Sequence, residues 1–213
     1  MTYKTRFQYL FDKASDIADA AHASSPHGIA LPPLFFVTDP ARIRHPEDIV
    51  AHLPQGCGVI YRHFGEAHAR ERALLLRRIS RERGLTFLIG EDDVLAAEVG
   101  ADGVHLREHS LERADAIARP DWILTAACHN GEALKRAEAQ KSLSAVFVSP
   151  VFASASASAQ SVVPLGAKGA MALASTATLP VFALGGITCD TIEHLHDCGL
   201  RGVAAVEAFK LED

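Results

Sequence analysis

Val99-Gly100-Ala101-Asp102-Gly103-Val104-His105-Leu106, answered further along by Val181-Phe182-Ala183-Leu184-Gly185-Gly186-Ile187, decides how this chain is read. Each is a short apolar run bounded by small or polar residues. A buried parallel strand looks like this where its C-terminal end opens on a ligand pocket, because both faces are covered and only the end meets solvent.

Upstream, Leu34-Phe35-Phe36-Val37-Thr38-Asp39-Pro40 repeats the pattern, an apolar run closing on a polar turn with a proline, and reads as the first strand. Further strands are expected over 58–62, 86–89, 103–106, 123–127, 145–149, 180–184 and 202–206. Helical stretches separate them, such as 66–83, with Ala69, Ala73, Leu74, Leu76 and Ile79 on the inward face and arginines outward, and 131–140. Eight strands alternating with helices give parallel βαβ units that close an α/β architecture, the (β/α)8 TIM barrel. Before it, Phe7, Leu10, Phe11, Ala14, Ile17, Ala18 and Ala21 form a 3.6-period stripe over 5–23, an additional N-terminal helix that Ser24-Ser25-Pro26-His27-Gly28 ends. The chain therefore divides into an N-terminal helical extension, 1–33, and the barrel, 34–213. Ala153-Ser154-Ala155-Ser156-Ala157-Ser158-Ala159 is too small-sided to pack and reads as a loop after the sixth strand, either a linker or a lid.

At 213 residues and 48% hydrophobic, the chain suffices for one sizeable core. With 21 Lys+Arg against 26 Asp+Glu, a formal charge of −5 and no basic run, nucleic acid is not an expected partner. No uncharged apolar stretch reaches the roughly 18 residues of a spanning helix, and the charged N-terminus does not read as a signal peptide, so a cytoplasmic protein with no membrane partner is expected. The four cysteines are far apart and form no C-x-x-C, which suggests reduced thiols; the 11 histidines form no ligand array.

In a barrel, ligands meet the residues just after each strand. Those are Asp39, Arg62, Glu91, Arg107 and Glu108, His129, Ser149, Gly185 with Gly186, and Glu207. Gly185-Gly186 before a helix starting near Thr188 can cradle a phosphate on backbone amides, or can simply make a tight turn. Arg62 can fork onto an anion or pair with a neighbouring carboxylate. His129 can exchange protons near neutral pH, or can be a satisfied residue at a helix start. His105, inside a strand, reads as a core group. Glu91-Asp92-Asp93 can hold Mg²⁺, but a helix cap is the favoured reading.

Together these residues resemble the thiamine phosphate synthase and TenI superfamily over roughly 34–209. The resemblance is carried by Phe36-Val37-Thr38-Asp39, Ala101-Asp102-Gly103-Val104-His105-Leu106, Ser149-Pro150-Val151-Phe152, Val181 through Ile187, and Gly199-Leu200-Arg201-Gly202-Val203-Ala204. It implies a homodimeric barrel whose partner is a small thiazole or pyrimidine phosphate. The synthase stabilises a departing pyrophosphate with Mg²⁺, Lys and Arg. This chain departs from that pattern. The family's Gln-x-Arg-x-Lys reads Ile60-Tyr61-Arg62-His63-Phe64, keeping only the arginine; Asn-Asp reads Gly90-Glu91; and the aspartate of Gly-Gln-Glu-Asp falls at Ser110. Thr-x-Thr-Lys reads Ser154-Ala155-Ser156-Ala157, and the serine after the eighth strand is Glu207, whose carboxylate would repel a phosphate unless turned away.

Losing one preorganised charge contact costs about 3 kcal/mol of transition-state stabilisation, and here several are absent at once. A TenI-type thiazole tautomerase needs only a base and a phosphate grip, and His129 in Cys128-His129-Asn130 matches that family's histidine. The expectation is a proton-transfer enzyme with His129 as catalytic residue and Gly185, Gly186 and Arg62 as phosphate ligands. Asp39, Ser149, Ser154, Ser156 and Glu207 would contact substrate. No cofactor is expected; Mg²⁺, with Glu91 as its candidate ligand, enters only if synthase activity is retained. A residual synthase using His63, His109 or Lys168, and a non-catalytic binding protein, are the alternatives.

Overall fold

Strands β1 (Leu34–Val37), β2 (Gly58–Tyr61), β3 (Thr86–Gly90), β4 (Gly103–Leu106), β5 (Ile123–Cys128), β6 (Ala145–Val148), β7 (Val181–Leu184) and β8 (Gly202–Ala205) each pair in parallel with the next. The last closes on the first, with Leu34 opposite Val203 and Phe36 opposite Ala205, so the sheet is a barrel without edges. The computed structural model describes residues 1–21, 28–154 and 162–211. The strands stand where the apolar runs place them because each run is buried on both faces; nearly every strand residue is fully buried.

Aromatic rings fill much of the interior. Phe147 stacks on Phe182 with centroids 4.8 Å apart, and Phe35 meets both edge-on at 5.3 and 5.5 Å. Glycine makes room for them: a Cβ on Gly58 would lie 2.2 Å from the Phe35 ring. His105 completes the cluster, edge-on to Phe147 at 5.1 Å and 2.9 Å from Thr125 Oγ1, the core role read from its place in a strand.

Asp102, in the stretch that decides the fold, serves the opposite end of the barrel from the candidate site. Its carboxylate accepts the Phe87 N–H at 2.8 Å and both terminal nitrogens of Arg77 at 2.7 Å. Its backbone N–H donates to Phe87 O and its carbonyl accepts from Ile123, tying the starts of β3, β4 and β5 together.

Helices α2 (Pro46–Val50), α3 (Ala69–Arg83), α4 (Asp93–Val99), α5 (Ala114–Ile117), α6 (Gly131–Glu138) and α7 (Gly166–Thr176) lie between strands, with 3-10 turns over Glu108–Arg113, Ile192–Leu195 and Glu207–Phe209. On α3, Ala73, Leu76 and Ser80 face the barrel, whereas Leu74 is exposed: one residue past Ala73, it turns about 100° away from the buried stripe. No helix follows Gly185-Gly186 directly. Thr188 and Thr191 bond to each other's backbone N–H at 2.8 and 3.2 Å, and only the four-residue turn Ile192–Leu195 forms.

Helix α1 (Tyr3–Asp19) is the N-terminal helix, capped by Thr2 and burying Phe7, Leu10, Ala14 and Ile17. It packs on β8 and β1, with Phe7 edge-on to Phe209 at 5.0 Å and Phe209 against Phe36 at 5.4 Å. Tyr9 and Lys13 reach Glu193, and Arg6 donates to Lys210 O. Among the described residues β8 is followed only by a three-residue turn, so α1 covers the seam where a helix after β8 would lie. The helix ends at Asp19, with Ala20 as its C-cap, short of the stripe expected to reach 23; residues 22–27 and most of the Ala-Ser loop, 155–161 with Ser156, lie outside the described residues. Among the described residues no helix is long and apolar enough to cross a membrane, and the four cysteines are free thiols.

Candidate active site

The strand ends bring the expected residues to one rim in two groups. The first spans β1 to β4. Thr38 holds the start of the β2 loop: its hydroxyl accepts the Arg62 N–H at 2.9 Å and its carbonyl accepts Arg62 Nε at 2.8 Å. This fixes the Arg62 side chain across the barrel mouth. One terminal nitrogen, Nη2, is buried without a hydrogen-bond partner; Asp39 Oδ2 stands 3.5 Å away, outside hydrogen-bond geometry, and is itself held by Arg42 at 2.8 and 3.0 Å. Burial pulls Arg62 down to about 10, with Asp39 opposing, so the guanidinium is charged at neutral pH. The expectation for Asp39 is refined here: its carboxylate organises two arginines.

Arg62, His63, Phe64, Gly90, Glu91, His105 and Arg107 line a hollow of about 30 Å³. Phe64, where the family carries lysine, is exposed, and its ring faces the guanidinium carbons of Arg62 at 5.2 Å and Arg107 at 5.4 Å, within cation–π range. Burial and then the Arg62 charge push His105 down to about 3, so it forms a neutral floor.

Glu91 does not offer a free carboxylate. It accepts the Arg107 N–H on Oε1 and the Ser110 hydroxyl on Oε2 at 2.7 Å, with Arg113 3.8 Å from Oε2. Asp92 is the N-cap of α4, accepting Leu95 N–H at 2.8 Å, and Asp93 pairs with Arg113 at 2.5 Å, which agrees with the cap reading. Ser110 occupies the place of the family's aspartate and donates to Glu91. A magnesium ion that bridges to substrate phosphates takes one or two free carboxylates, and here Glu91 is tied to the Ser110 hydroxyl and the Arg107 N–H while Ser110 stands in the place of the second. The residues present do not fit the synthase's Mg²⁺.

The second group spans β5 to β8. His129 follows β5, and its Nδ1 lies 2.6 Å from the Ser149 carbonyl oxygen, with the Ser149 hydroxyl at 3.2 Å. A carbonyl only accepts, so Nδ1 carries the hydrogen and Nε2 is the basic nitrogen. The His129 N–H donates to Glu108 Oε2 at 3.0 Å, and Arg136 holds Glu108 Oε1 at 3.0 Å. Asn130 caps α6, accepting Ala133 N–H at 2.9 Å, so the histidine leads directly into a helix.

Gly185 and Gly186 have φ of +97° and +66°, and a Cβ on Gly186 would sit 2.4 Å from Ala153 O. The turn reading thus has a physical basis: glycine is needed for both conformation and contact with the β6 loop, whose Phe152 N–H donates to Gly185 O at 3.0 Å. The 3-10 turn beyond is too short to lend a helix dipole, so any phosphate grip there rests on backbone amides alone. Ser154 is half-buried and follows Ala153, whose carbonyl approaches Gly186. Glu207 begins the last 3-10 turn and pairs with Lys210 at 3.5 Å, which offsets part of its charge. His63 faces Asp92 at 3.5 Å, and Lys168 is exposed on the first turn of α7. Thr38, as the clamp on Arg62, was not singled out from the sequence; its place between an apolar run and Asp39 was the available signal.

A family model described as thiamine monophosphate synthase matches residues 34–209. A "putative thiamine-phosphate synthase 2" from Aquifex aeolicus is 30% identical over 189 residues, covering 84% of this chain and 98% of that protein. A thiamine-phosphate synthase from Gloeobacter violaceus is 31% identical over 188 residues, covering 83% of this chain and 52% of its own length. Among solved structures, a thiamine phosphate pyrophosphorylase from Pyrococcus furiosus superposes with a TM-score of 0.70 at 24% identity, over 82% of this chain and 85% of that one, which supports the fold. The family model's match across the whole barrel and the 30% identity to a relative over 84% of the chain place this chain in the thiamine monophosphate synthase/TenI family.

Proposed function

We propose that this barrel binds a thiazole phosphate-type ligand of thiamine metabolism at its C-terminal rim and catalyses a metal-independent proton transfer, as a TenI-like tautomerase. The observation that carries this reading is the His129–Ser149 contact of 2.6 Å, which leaves Nε2 as a base of fixed tautomer. In the reaction Nε2 takes a proton from one position of the bound heterocycle and returns it at another. The ring double bond shifts, and no electrons leave or enter the system. Backbone amides at Gly185 and Gly186 would hold the phosphate, Arg62 a second anionic group, and Asp39, Ser149, Ser154, Ser156 and Glu207 the rest of the contact surface. The closed Glu91–Ser110 pair is compatible with this chemistry, because proton transfer needs no metal.

The test is incubation with the thiazole carboxylate phosphate tautomer in EDTA, followed by proton NMR. Isomerisation should be accelerated by the protein and lost in His129→Ala; equal rates for both would remove the assignment.

A second reading, coupling of a pyrimidine pyrophosphate to a thiazole phosphate, is favoured by the names of the relatives and by the unpartnered nitrogen of Arg62. Product formation in the presence of Mg²⁺ would support it. Tight ligand binding without turnover in either assay would identify a non-catalytic member.

A further inference from the structure

We propose that Arg62, Arg107 and Phe64 form a metal-independent receptor for a single small oxyanion group, a carboxylate or a monophosphate, in place of the metal-assisted pyrophosphate site the family pattern implies. The inference deepens the proposed function and rests on its reading that ligand enters at this rim.

Charge is the first ground. Arg107 is exposed and has no carboxylate partner among the described residues, and Arg62 shares its carboxylate, Asp39, with Arg42. Glu91 offsets one of these two charges, but its oxygens face Ser110, the Arg107 N–H and Arg113 and accept no ligand-side donor. The lining is left with an excess of positive charge and a buried donor, Arg62 Nη2, with nothing to donate to. An unpaired buried donor is costly, and an oxyanion supplies the missing acceptor.

Backbone strain is the second. Among the described residues only three non-glycine residues have positive φ, and two of them, Phe64 at +47° and Glu91 at +67°, line this hollow. Such conformations cost about 1–3 kcal/mol each and persist where the surroundings enforce them. Here the strain at Phe64 lays an exposed ring beside two guanidinium groups, and the strain at Glu91 turns its carboxylate onto Ser110 and away from a metal role. Size is the third: a hollow of about 30 Å³ accommodates one small oxyanion head.

The guanidinium forks of Arg62 and Arg107 suit planar carboxylate and tetrahedral monophosphate alike, so the probes are formate and inorganic phosphate, each in EDTA or in MgCl2. The readout is the NMR resonances of the Arg62 and Arg107 Nε–H groups and of the His129 ring in the full chain. At least one probe should shift both arginine resonances saturably, with affinity changed less than twofold by Mg²⁺ and weakened at least tenfold in Arg107→Gln. Formate-only saturation would assign a carboxylate, phosphate-only a monophosphate. Phe64→Ala should change the arginine resonances without probe, and thermal unfolding of both variants confirms that they fold. Binding that requires Mg²⁺, or unchanged affinity in Arg107→Gln, would overturn the receptor. If phosphate shifts His129 but neither arginine, the receptor fails while the proposed function stands. If no resonance of either group responds, both fail.

Discussion

Replacing Asp102 with alanine tests the reasoning that the most informative motif in the chain is a structural tie. One carboxylate there satisfies three donors: the Phe87 N–H at the start of β3 and the two ends of the Arg77 fork. Removing a charge-assisted fork costs about 1.5–3 kcal/mol, and leaving the Phe87 N–H without an acceptor costs about 1–3 kcal/mol more. The two losses share one group and are not additive, so Asp102→Ala should lower stability by about 3–4 kcal/mol, a fall in Tm of about 6–16 °C for a chain of this size. Arg77→Ala isolates the fork. Asp102, with its side chain 33% exposed, keeps its bond to Phe87 N–H and some hydration, so this variant should lose only about 1–2 kcal/mol. Equilibrium unfolding in urea, with the double variant included, measures both effects. A cost below about 1 kcal/mol for Asp102→Ala, or one no greater than that of Arg77→Ala, would refute the reasoning.

Three further perturbations reach other parts of the molecule. His105 is neutral in the fold, pushed to about 3 by burial and then by Arg62, while an unfolded imidazole titrates near 6.5. Its contribution is therefore present above pH 6.5 and is lost as pH falls from there toward 3; unfolding at pH 7.5 and 5 should show wild type losing about 2 kcal/mol more than His105→Gln, and parallel losses would contradict this. Phe7→Ala removes a fully buried ring between α1 and Phe209 and should cost about 3–5 kcal/mol if α1 is part of the barrel wall; a cost under 1 kcal/mol by urea unfolding would show that the helix is dispensable. Gly186→Ala should destabilise by about 2–4 kcal/mol, because its Cβ would meet Ala153 O at 2.4 Å, whereas Gly65→Ala, with φ +82° and open space around it, should lose only about 1–2 kcal/mol; equal losses would mean that backbone conformation alone explains both glycines.

The strands were legible because burial on both faces writes an uninterrupted apolar run, and eight such runs separated by helix-period segments leave one closed solution. The stripe of α1 was equally plain, but its place over the seam between β8 and β1 was not, since any apolar stripe can dock on any apolar groove. Helical periodicity also overreached: Leu74 matches the composition of the inward face yet lies off its axis. Threonine side-chain chemistry at Thr188 and Thr191 replaced the expected helix start with a short 3-10 turn. At the rim, His129, Arg62 and the glycine pair could be located by counting from strand ends. The stacking of Phe64 on two arginines and the closure of Glu91 onto Ser110 could not, because both depend on side chains from different loops and on positive φ at residues that rarely adopt it.

The central claim is that one rim holds an anionic heterocycle between the glycine turn and the arginines, with its exchangeable proton at His129. A crystal structure with the thiazole carboxylate phosphate bound in the absence of divalent metal tests this most directly. The account predicts the phosphate on the Gly185 and Gly186 amides and the heterocycle within about 3 Å of His129 Nε2, the reach of a general base. A ligand lodged instead at the cleft beside Trp122, Arg119 and Lys141, or a heterocycle out of reach of His129, would contradict it.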